Sequence, residues 1–353
     1  MKVFSGQTAS DVWLAAAAAL AGPDAAMIPG RGGATRELLH AAFEVGDSRQ
    51  RWVFEREPAM NPAFALAEVV WIVLGRDDAA FPNFWNPALS KFAGADSSYH
   101  GAYGARLRRH RGVDQLARVA DTLRANPASR QAVLQIWDAT ADLPTATGEP
   151  VAADIPCNVT SLLKVRGGRL EWLQVIRSND IFLGTPHNFV QFMSLQEILA
   201  GWIGVDVGTY VQISDSLHVY ERDLSSISTV GGRIAAPNTD RFSEPREESL
   251  AHFSAVGARM DEMRRKQVSP ERCSELALGL DVPESYRNVL LVVGADAARR
   301  RGGIDQASIL MAQCTNPAYH ATWSRWCARM AERCPTSAAQ DPSKASAPDG
   351  SGS

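Results

Sequence analysis

The segment 158–217 constrains the fold more than any other part of the chain, because strand-like and helix-like hydrophobic patterns follow one another within it. Two apolar runs, 158–165 and 170–176, are separated by Arg166, Gly167 and Gly168, and this arrangement predicts a β-hairpin. The long apolar run 189–203 predicts a buried helix, and 209–217 predicts another strand. The chain is therefore expected to combine strands and helices around a core.

The flanking sequence is mainly helical in pattern. Residues 61–75 carry a broad apolar face that ends at Gly75, a second helix is predicted at 113–124, and a short strand at 131–137. The N-terminal alanine run is preceded by Asp11 and Trp13, so it predicts a helix capped near Thr8 or Ser10 rather than a signal peptide.

Beyond about residue 223 the pattern changes to charged helical stretches, such as 247–266 and 318–333. We therefore expect one domain of mixed strands and helices at 1–225 and a helical C-terminal extension packed on it at 226–334. The segment 335–353 is mostly small and polar, which predicts a disordered tail.

Composition narrows the class of protein. A hydrophobic content of 45% over 353 residues is enough for a substantial core, and a formal net charge of -3 argues against a chain-wide grip on nucleic acid. The five cysteines are odd in number and show no C-x-x-C spacing, so neither a disulfide framework nor a zinc site is indicated. We expect a cytoplasmic protein that needs no metal, no membrane and no nucleic acid.

Polar side chains gather at the ends of the predicted strands, where pockets commonly form. Cys157 precedes the hairpin, residues 177–180 follow its second strand, Asn188 enters the buried helix, and His218 with Tyr220 ends the last strand. Taken alone, a cysteine is more often a small buried hydrophobe than a nucleophile. The interpretation of Cys157 as a nucleophile therefore depends on the order of the motifs around it.

Several ordered blocks resemble the thymidylate synthase family, well over residues 68–220 and loosely over 31–36. The blocks are Glu68 with Trp71, Tyr103-Gly104, Asp114-Gln115-Leu116, the segment 126–130, Pro156-Cys157, Arg177-Ser178 with Asp180, Leu183-Gly184 with Pro186 and Asn188, and His218 with Tyr220. The resemblance implies a mixed α/β fold with a large twisted sheet, and a homodimer whose sheets pack face to face.

The resemblance also implies a chemistry. C5 of a pyrimidine is a poor nucleophile until a thiolate adds to C6, and Cys157 is the expected thiolate. Asn188 is expected to hold the O4 and N3 edge of the base, and Glu68 to organise water and move protons there. The one-carbon donor would be 5,10-methylenetetrahydrofolate.

The remaining implied contacts hold the two substrates. Those to the pyrimidine nucleoside monophosphate are Arg31, Arg130, Arg177, Ser178, His218 and Tyr220. Within this set, Arg130 is expected to serve the partner chain's active site. The expected folate contacts are Asp180 and Trp85.

Departures from the family's pattern suggest which reaction follows. Asn158 stands where the synthases carry histidine, Gln131 where they carry a second arginine, and the C-terminus lacks their short apolar closing segment. Because admitting water to the methylene group on C5 gives a hydroxymethyl product, we expect a pyrimidine nucleotide 5-hydroxymethylase. Methylation of dUMP to dTMP is the alternative.

The sequence alone is compatible with several alternatives for the substrate and for the activity. Asn188 favours uracil, but a flipped amide matches cytosine, for which the adjacent His187 could help with the proton. Nothing in the sequence separates ribose from deoxyribose. A Cys-His hydrolase using Cys157 and His218 is a rival, although the chain carries no signature for that chemistry. A catalytically silent nucleotide- or RNA-binding protein on the same scaffold is another.

Overall fold

A computed structural model describes residues 1–30, 32–228 and 236–333 of the chain. Within these ranges the strands are β1 (Lys2–Gly6), β2 (Ala26–Gly30), β3 (Gly33–Val45), β4 (Val133–Gln135), β5 (Asn158–Arg166), β6 (Arg169–Asp180) and β7 (Asp206–Tyr220). The helices are α1 (Ala9–Ala21), α2 (Pro62–Val73), α3 (Ala80–Trp85), α4 (Ser90–Ala93), α5 (Tyr103–Arg108), α6 (Gln115–Ala125), α7 (Ala139–Asp142), α8 (Thr185–Ile203), α9 (Leu224–Ser228), α10 (Arg246–Met263), α11 (Pro270–Leu278), α12 (Glu284–Arg299), α13 (Ile304–Ala312) and α14 (Pro317–Arg333).

All the strands belong to one mixed sheet. Its order is β1-β3-β7-β6-β5-β4, and β2 pairs with residues 33–37 of β3, ahead of the residues that pair with β1. The parallel pairs are β1 with β3 and β6 with β7. The predicted hairpin is confirmed as β5 and β6, and Gly167 and Gly168 take positive φ values of 56° and 73° at its turn. Such a turn favours glycine because a Cβ is strained there. The mixed α/β fold class is confirmed.

The centre of the core is the long helix α8, which packs on the inner faces of β6 and β7. Nearly all of its side chains are buried, and it ends at Gly204 in the left-handed conformation, as a helix C-terminus often does. Helix α2 packs against α8, and its first turn is capped by Asn61, whose Oδ1 accepts the N–H groups of Ala63 and Phe64. The predicted helices at 61–75 and 189–203 are thus confirmed.

The helical C-terminal part contacts the sheet-bearing part through α2. Helices α10, α12 and α14 all pack on α2, and Arg329 of α14 donates to the carbonyl of Ala59 at 2.6 Å. Arg325 pairs with Glu57 at the same place. The expected tail, 335–353, lies outside the described residues, and no described helix is long and apolar enough to cross a bilayer.

Candidate active site

The ends of three adjacent strands bring the predicted polar residues together. Cys157 lies directly before β5, and its carbonyl accepts the N–H of Arg177 at 2.9 Å. Asp180, at the end of β6, is paired with His218 of β7. Since β5 runs antiparallel to β6 and β6 runs parallel to β7, the start of β5 and the ends of β6 and β7 lie at one edge of the sheet.

The thiol of Cys157 lies beside a guanidinium group. Arg177 Nη2 is 4.0 Å from Cys157 Sγ, and the same side chain is held by the carbonyls of Ile155 and Pro156 at 3.0 and 2.9 Å. A fixed positive charge at this distance stabilises negative charge on the sulfur. Cys157 is partly exposed, so a ligand can reach it.

Glu68 meets His187, for which the sequence suggested only a proton-handling role beside Asn188 and no contact with Glu68. Its Oε2 lies 2.9 Å from Nδ1 of His187, and the two side chains are 15% and 16% exposed. The imidazole also packs on Phe64, with 5.0 Å between ring centroids. Glu68 of α2 and His187 in the first turn of α8 therefore form one hydrogen-bonded pair. The only feature of the sequence that pointed to His187 as a site residue was its position next to Asn188.

Asn188 is held by amides on both sides. Its Oδ1 accepts from Asn158 Nδ2 and its Nδ2 donates to Asn179 Oδ1, each at 3.2 Å, and it is 7% exposed. An amide has spare capacity after these two bonds, one hydrogen and one lone pair. Asn188 is therefore able to form a two-point contact with the edge of a planar ring.

Tyr103 is a site residue that the sequence analysis missed. Burial raises the pKa of its hydroxyl far above the usual value; the negative charge of Cys157 adds to the rise, and a hydrogen bond from Asn158 opposes it. Its phenol thus lies near Cys157, Asn158 and Glu68 as a neutral group that can donate or accept a hydrogen bond. The Tyr103-Gly104 motif was the available signal, although it gave no role.

The predicted sugar contacts lie together at the end of β7. The rings of His218 and Tyr220 are 5.8 Å apart, edge to face, and the guanidinium of Arg222 covers Tyr220 at 4.2 Å. Ser178 lies on the neighbouring strand, paired with Ser216. Arg31 lies outside the described residues.

Arg130 is not brought to Cys157 of its own chain. It is exposed, and Ala132, two residues further on, bonds to Leu163, which lies six residues along β5 from Cys157. At about 3.3 Å per residue this places the segment about 20 Å from the thiol. The side chain is free to project to another molecule.

The two predicted folate contacts have different environments. Asp180 is half-buried, and its Oδ1 accepts the N–H groups of Phe182 and Leu183 at 2.8 and 3.0 Å. Trp85 is fully buried in the core, an environment typical of a packing residue.

A buried stack of a guanidinium group on an aromatic ring lies beside Asp180. The guanidinium of Arg56 stacks on Phe182 at 4.3 Å, and its buried Nε has no partner within the described part of the chain. Burial lowers the pKa of Arg56 to about 9, which leaves it charged at neutral pH. Arg56 and Phe182 are only 5% and 6% exposed, so this stack is part of the packing beside Asp180. In residues 1–30, 32–228 and 236–333 no group of three His, Cys, Asp or Glu side chains is placed to hold a metal.

Comparison with known proteins identifies the family. The family model described as thymidylate synthase matches residues 57–255, more than half of the chain, and the protein belongs to the thymidylate synthase family.

Among its curated relatives are two proteins named deoxyuridylate hydroxymethyltransferase. The one from Bacillus phage SP01 is 34% identical over 207 residues, covering 56% of this chain and 53% of that protein. The one from Pseudomonas phage M6 is 34% identical over 192 residues, covering 54% and 53%. Thymidylate synthase 1/2 of Encephalitozoon cuniculi (strain GB-M1) is 31% identical over 143 residues, covering 40% and 43%. The chain thus spans about half the length of these relatives.

Proposed function

We propose that the protein transfers a one-carbon unit from 5,10-methylenetetrahydrofolate to C5 of a pyrimidine nucleoside monophosphate and releases the 5-hydroxymethyl nucleotide. The observation that carries this proposal is the grouping of Cys157, Arg177, Asn188 and the Glu68–His187 pair at one edge of the sheet. Family membership and the two relatives named as hydroxymethyltransferases support the same reaction class.

Each side chain has a defined part in this scheme. The Cys157 thiolate adds to C6. Arg177 stabilises the thiolate and donates hydrogen bonds to the phosphate of the nucleotide. Asn188 holds the ring edge at positions 3 and 4, where negative charge develops during the addition. Tyr103, a neutral phenol close to Cys157 and Glu68, relays the proton that leaves C5 toward the Glu68 carboxylate, passing on its own hydroxyl proton as it takes the one from C5. His218, Tyr220 and Ser178 bind the sugar and phosphate.

Asp180 would contact the folate, which supplies the carbon when bound, and the buried Arg56–Phe182 stack lies beside it. Trp85 stays a predicted folate contact, with its ring buried in the core.

The Glu68–His187 pair favours hydroxymethylation over methylation. The first reaction consumes water: nucleotide, methylenetetrahydrofolate and water give hydroxymethyl nucleotide and tetrahydrofolate. Oxygen from that water bonds to the carbon on C5, one of its protons is taken by the protein, and the thiol is released from C6. A carboxylate in contact with an imidazole is suited to accept that proton.

We also propose that the active enzyme is a homodimer. The outer face of the sheet presents half-buried apolar side chains on β6 and β7, among them Leu173, Val175, Val211 and Ile213, and Leu39 of β3 is 59% exposed. Covering this face with a second copy would allow Arg130 to reach the partner's phosphate site, which its own chain does not offer it.

Residues 1–225 would then form the catalytic domain, and 226–334 a helical extension. Helices α10, α12 and α14 pack on α2, which carries Glu68. The extension would therefore hold this part of the site in place.

The test is to weigh the product. The protein is incubated with methylenetetrahydrofolate and each of CMP, dCMP, UMP and dUMP, and the nucleotide is analysed by mass spectrometry. A hydroxymethyl product with tetrahydrofolate supports the proposal. A methyl product with stoichiometric dihydrofolate would show a synthase, and no product with any nucleotide would refute one-carbon transfer.

A further inference from the structure

A chain of buried amides leads from the core to Asn188. Trp172 Nε1 donates to Gln174 Oε1 at 3.2 Å, and Gln174 Nε2 donates to Asn158 Oδ1 at 2.9 Å. Asn158 Nδ2 then donates to Asn188 Oδ1, as described above. Trp172, Gln174 and Asn158 are each at most 1% exposed, so water does not compete for these bonds.

One end of this chain cannot be reversed. An amide can turn over and exchange its donor for its acceptor, and only its partners determine which way it faces. The indole of Trp172 is a donor and never an acceptor, so Gln174 must turn its oxygen toward it. The carbonyl of Val175, 3.5 Å from Gln174 Nε2, favours the same orientation weakly. Gln174 in turn fixes Asn158, and Asn158 fixes Asn188.

The other end adapts to either orientation. Asn179 receives the bond from Asn188 and is bonded to the hydroxyls of Ser214 and Thr185, both at 2.9 Å. Ser161, which also bonds to Gln174 Oε1, is a hydroxyl as well. Hydroxyl groups donate or accept as required, so they do not select an orientation. The direction of the whole chain follows from the core end.

Resting on the proposed function, we propose that Trp172 fixes Asn188 in the orientation that selects a cytosine nucleotide. Tyr103, which is hydrogen-bonded to Asn158 and close to Cys157, marks the reacting side of the site as the Asn158 side. The reacting C5 and its neighbour C4 belong on that side, so Asn188 presents its oxygen toward position 4 and its N–H toward N3.

This pattern matches one base. Cytosine carries a 4-amino donor and an N3 acceptor, and uracil carries the reverse pair. Uracil would therefore meet an acceptor facing O4 and a donor facing N3–H. To bind it, the amide would have to turn over against the whole chain. Trp172, Gln174 and Asn158 are positioning residues in this scheme.

The experiment measures equilibrium binding of CMP, dCMP, UMP and dUMP to the full chain by calorimetry. We expect the cytosine nucleotides to bind at least about tenfold more tightly than their uracil counterparts, because two reversed hydrogen bonds leave buried groups unsatisfied. Trp172→Phe removes the donor that fixes the chain, so the ratio should fall toward one. Ser161→Ala is the matched control: it removes the other bond to the same Gln174 oxygen, and the ratio should stay.

A second variant guards against a folding defect in Trp172→Phe. Gln174→Met is similar in volume and cuts the connection between Trp172 and Asn158, so it should also bring the ratio toward one. A loss of packing alone would weaken both bases alike and leave the ratio unchanged.

The outcomes separate the two proposals. A wild-type preference for uracil would overturn the base assignment while leaving one-carbon transfer standing. A cytosine preference that neither Trp172→Phe nor Gln174→Met reduces would overturn the positioning role. Failure to bind any of the four nucleotides would refute the proposed function itself.

Discussion

Replacing His187 with phenylalanine removes the partner of Glu68 while keeping an aromatic ring against Phe64. The lost contact is a 2.9 Å hydrogen bond between side chains that are 16% and 15% exposed. A hydrogen bond to a charged group in such a setting is worth about 1.5–3 kcal/mol. If the pair accepts a proton during the reaction, the turnover number should fall about 10- to 100-fold.

The assay is product formation with saturating nucleotide and methylenetetrahydrofolate, followed by mass spectrometry. The fall should appear mainly in the turnover number, because the pair acts on the chemical step rather than on nucleotide binding. Addition of Cys157 to C6 precedes this step, so exchange of the C5 hydrogen with solvent should be reduced less than product formation.

The chain offers a matched control. His252 Nδ1 lies 3.0 Å from Glu244 Oε2 and packs on Tyr286 with 5.0 Å between ring centroids, which repeats the geometry of the His187 pair in the C-terminal part. His252→Phe should therefore leave turnover unchanged. If His187→Phe retained the wild-type turnover number, or if both variants lost activity equally, the proton-transfer role of the pair would be wrong.

Three further predictions concern other parts of the molecule. Arg177→Ala should weaken binding of the nucleoside monophosphate at least about tenfold but leave binding of the unphosphorylated nucleoside almost unchanged; equal losses for both would contradict the phosphate role. Mixing inactive Arg130→Ala and Cys157→Ser chains should restore part of the activity through hybrid dimers, and no recovery despite proven subunit exchange would argue against shared sites. Burial raises the pKa of Asp240 to about 6 from 3.8, so the folded state binds the proton more tightly and the free energy of unfolding should fall by about 3 kcal/mol as pH rises from about 4 to 6. Urea titrations should show that Asp240→Asn lacks this fall, and parallel curves for both proteins would refute it.

Local pattern was sufficient for much of the fold. Apolar periodicity located α2 and α8, and the glycines at 167 and 168 located the β5–β6 hairpin within a few residues. The pattern did not predict β3. Its sequence contains Arg36, Glu37, Leu38 and Leu39, residue types that favour helices, and it is a strand because β1 and β7 pair with it on either side. Pairing between segments this far apart leaves little trace in a local window.

The candidate site divides in the same way. Cys157, Arg177 and Asn188 were recognised from motifs, and the structure brings them to one edge of the sheet. Trp85 stays a predicted folate contact, and its ring is buried in the core. Tyr103 was given no role, and the contact of His187 with Glu68 was not predicted, because both depend on neighbours far away in the sequence.

The sequence by itself determined the order of strands and helices around Cys157 and the family to which the chain belongs, because short, contiguous patterns of residues identify both. The tertiary structure alone decided that Glu68 meets His187, 119 positions later, and that Trp172 orients Asn188 through two other amides. Hydrogen-bond direction depends on which donor faces which acceptor in three dimensions, and no spacing along a chain encodes it.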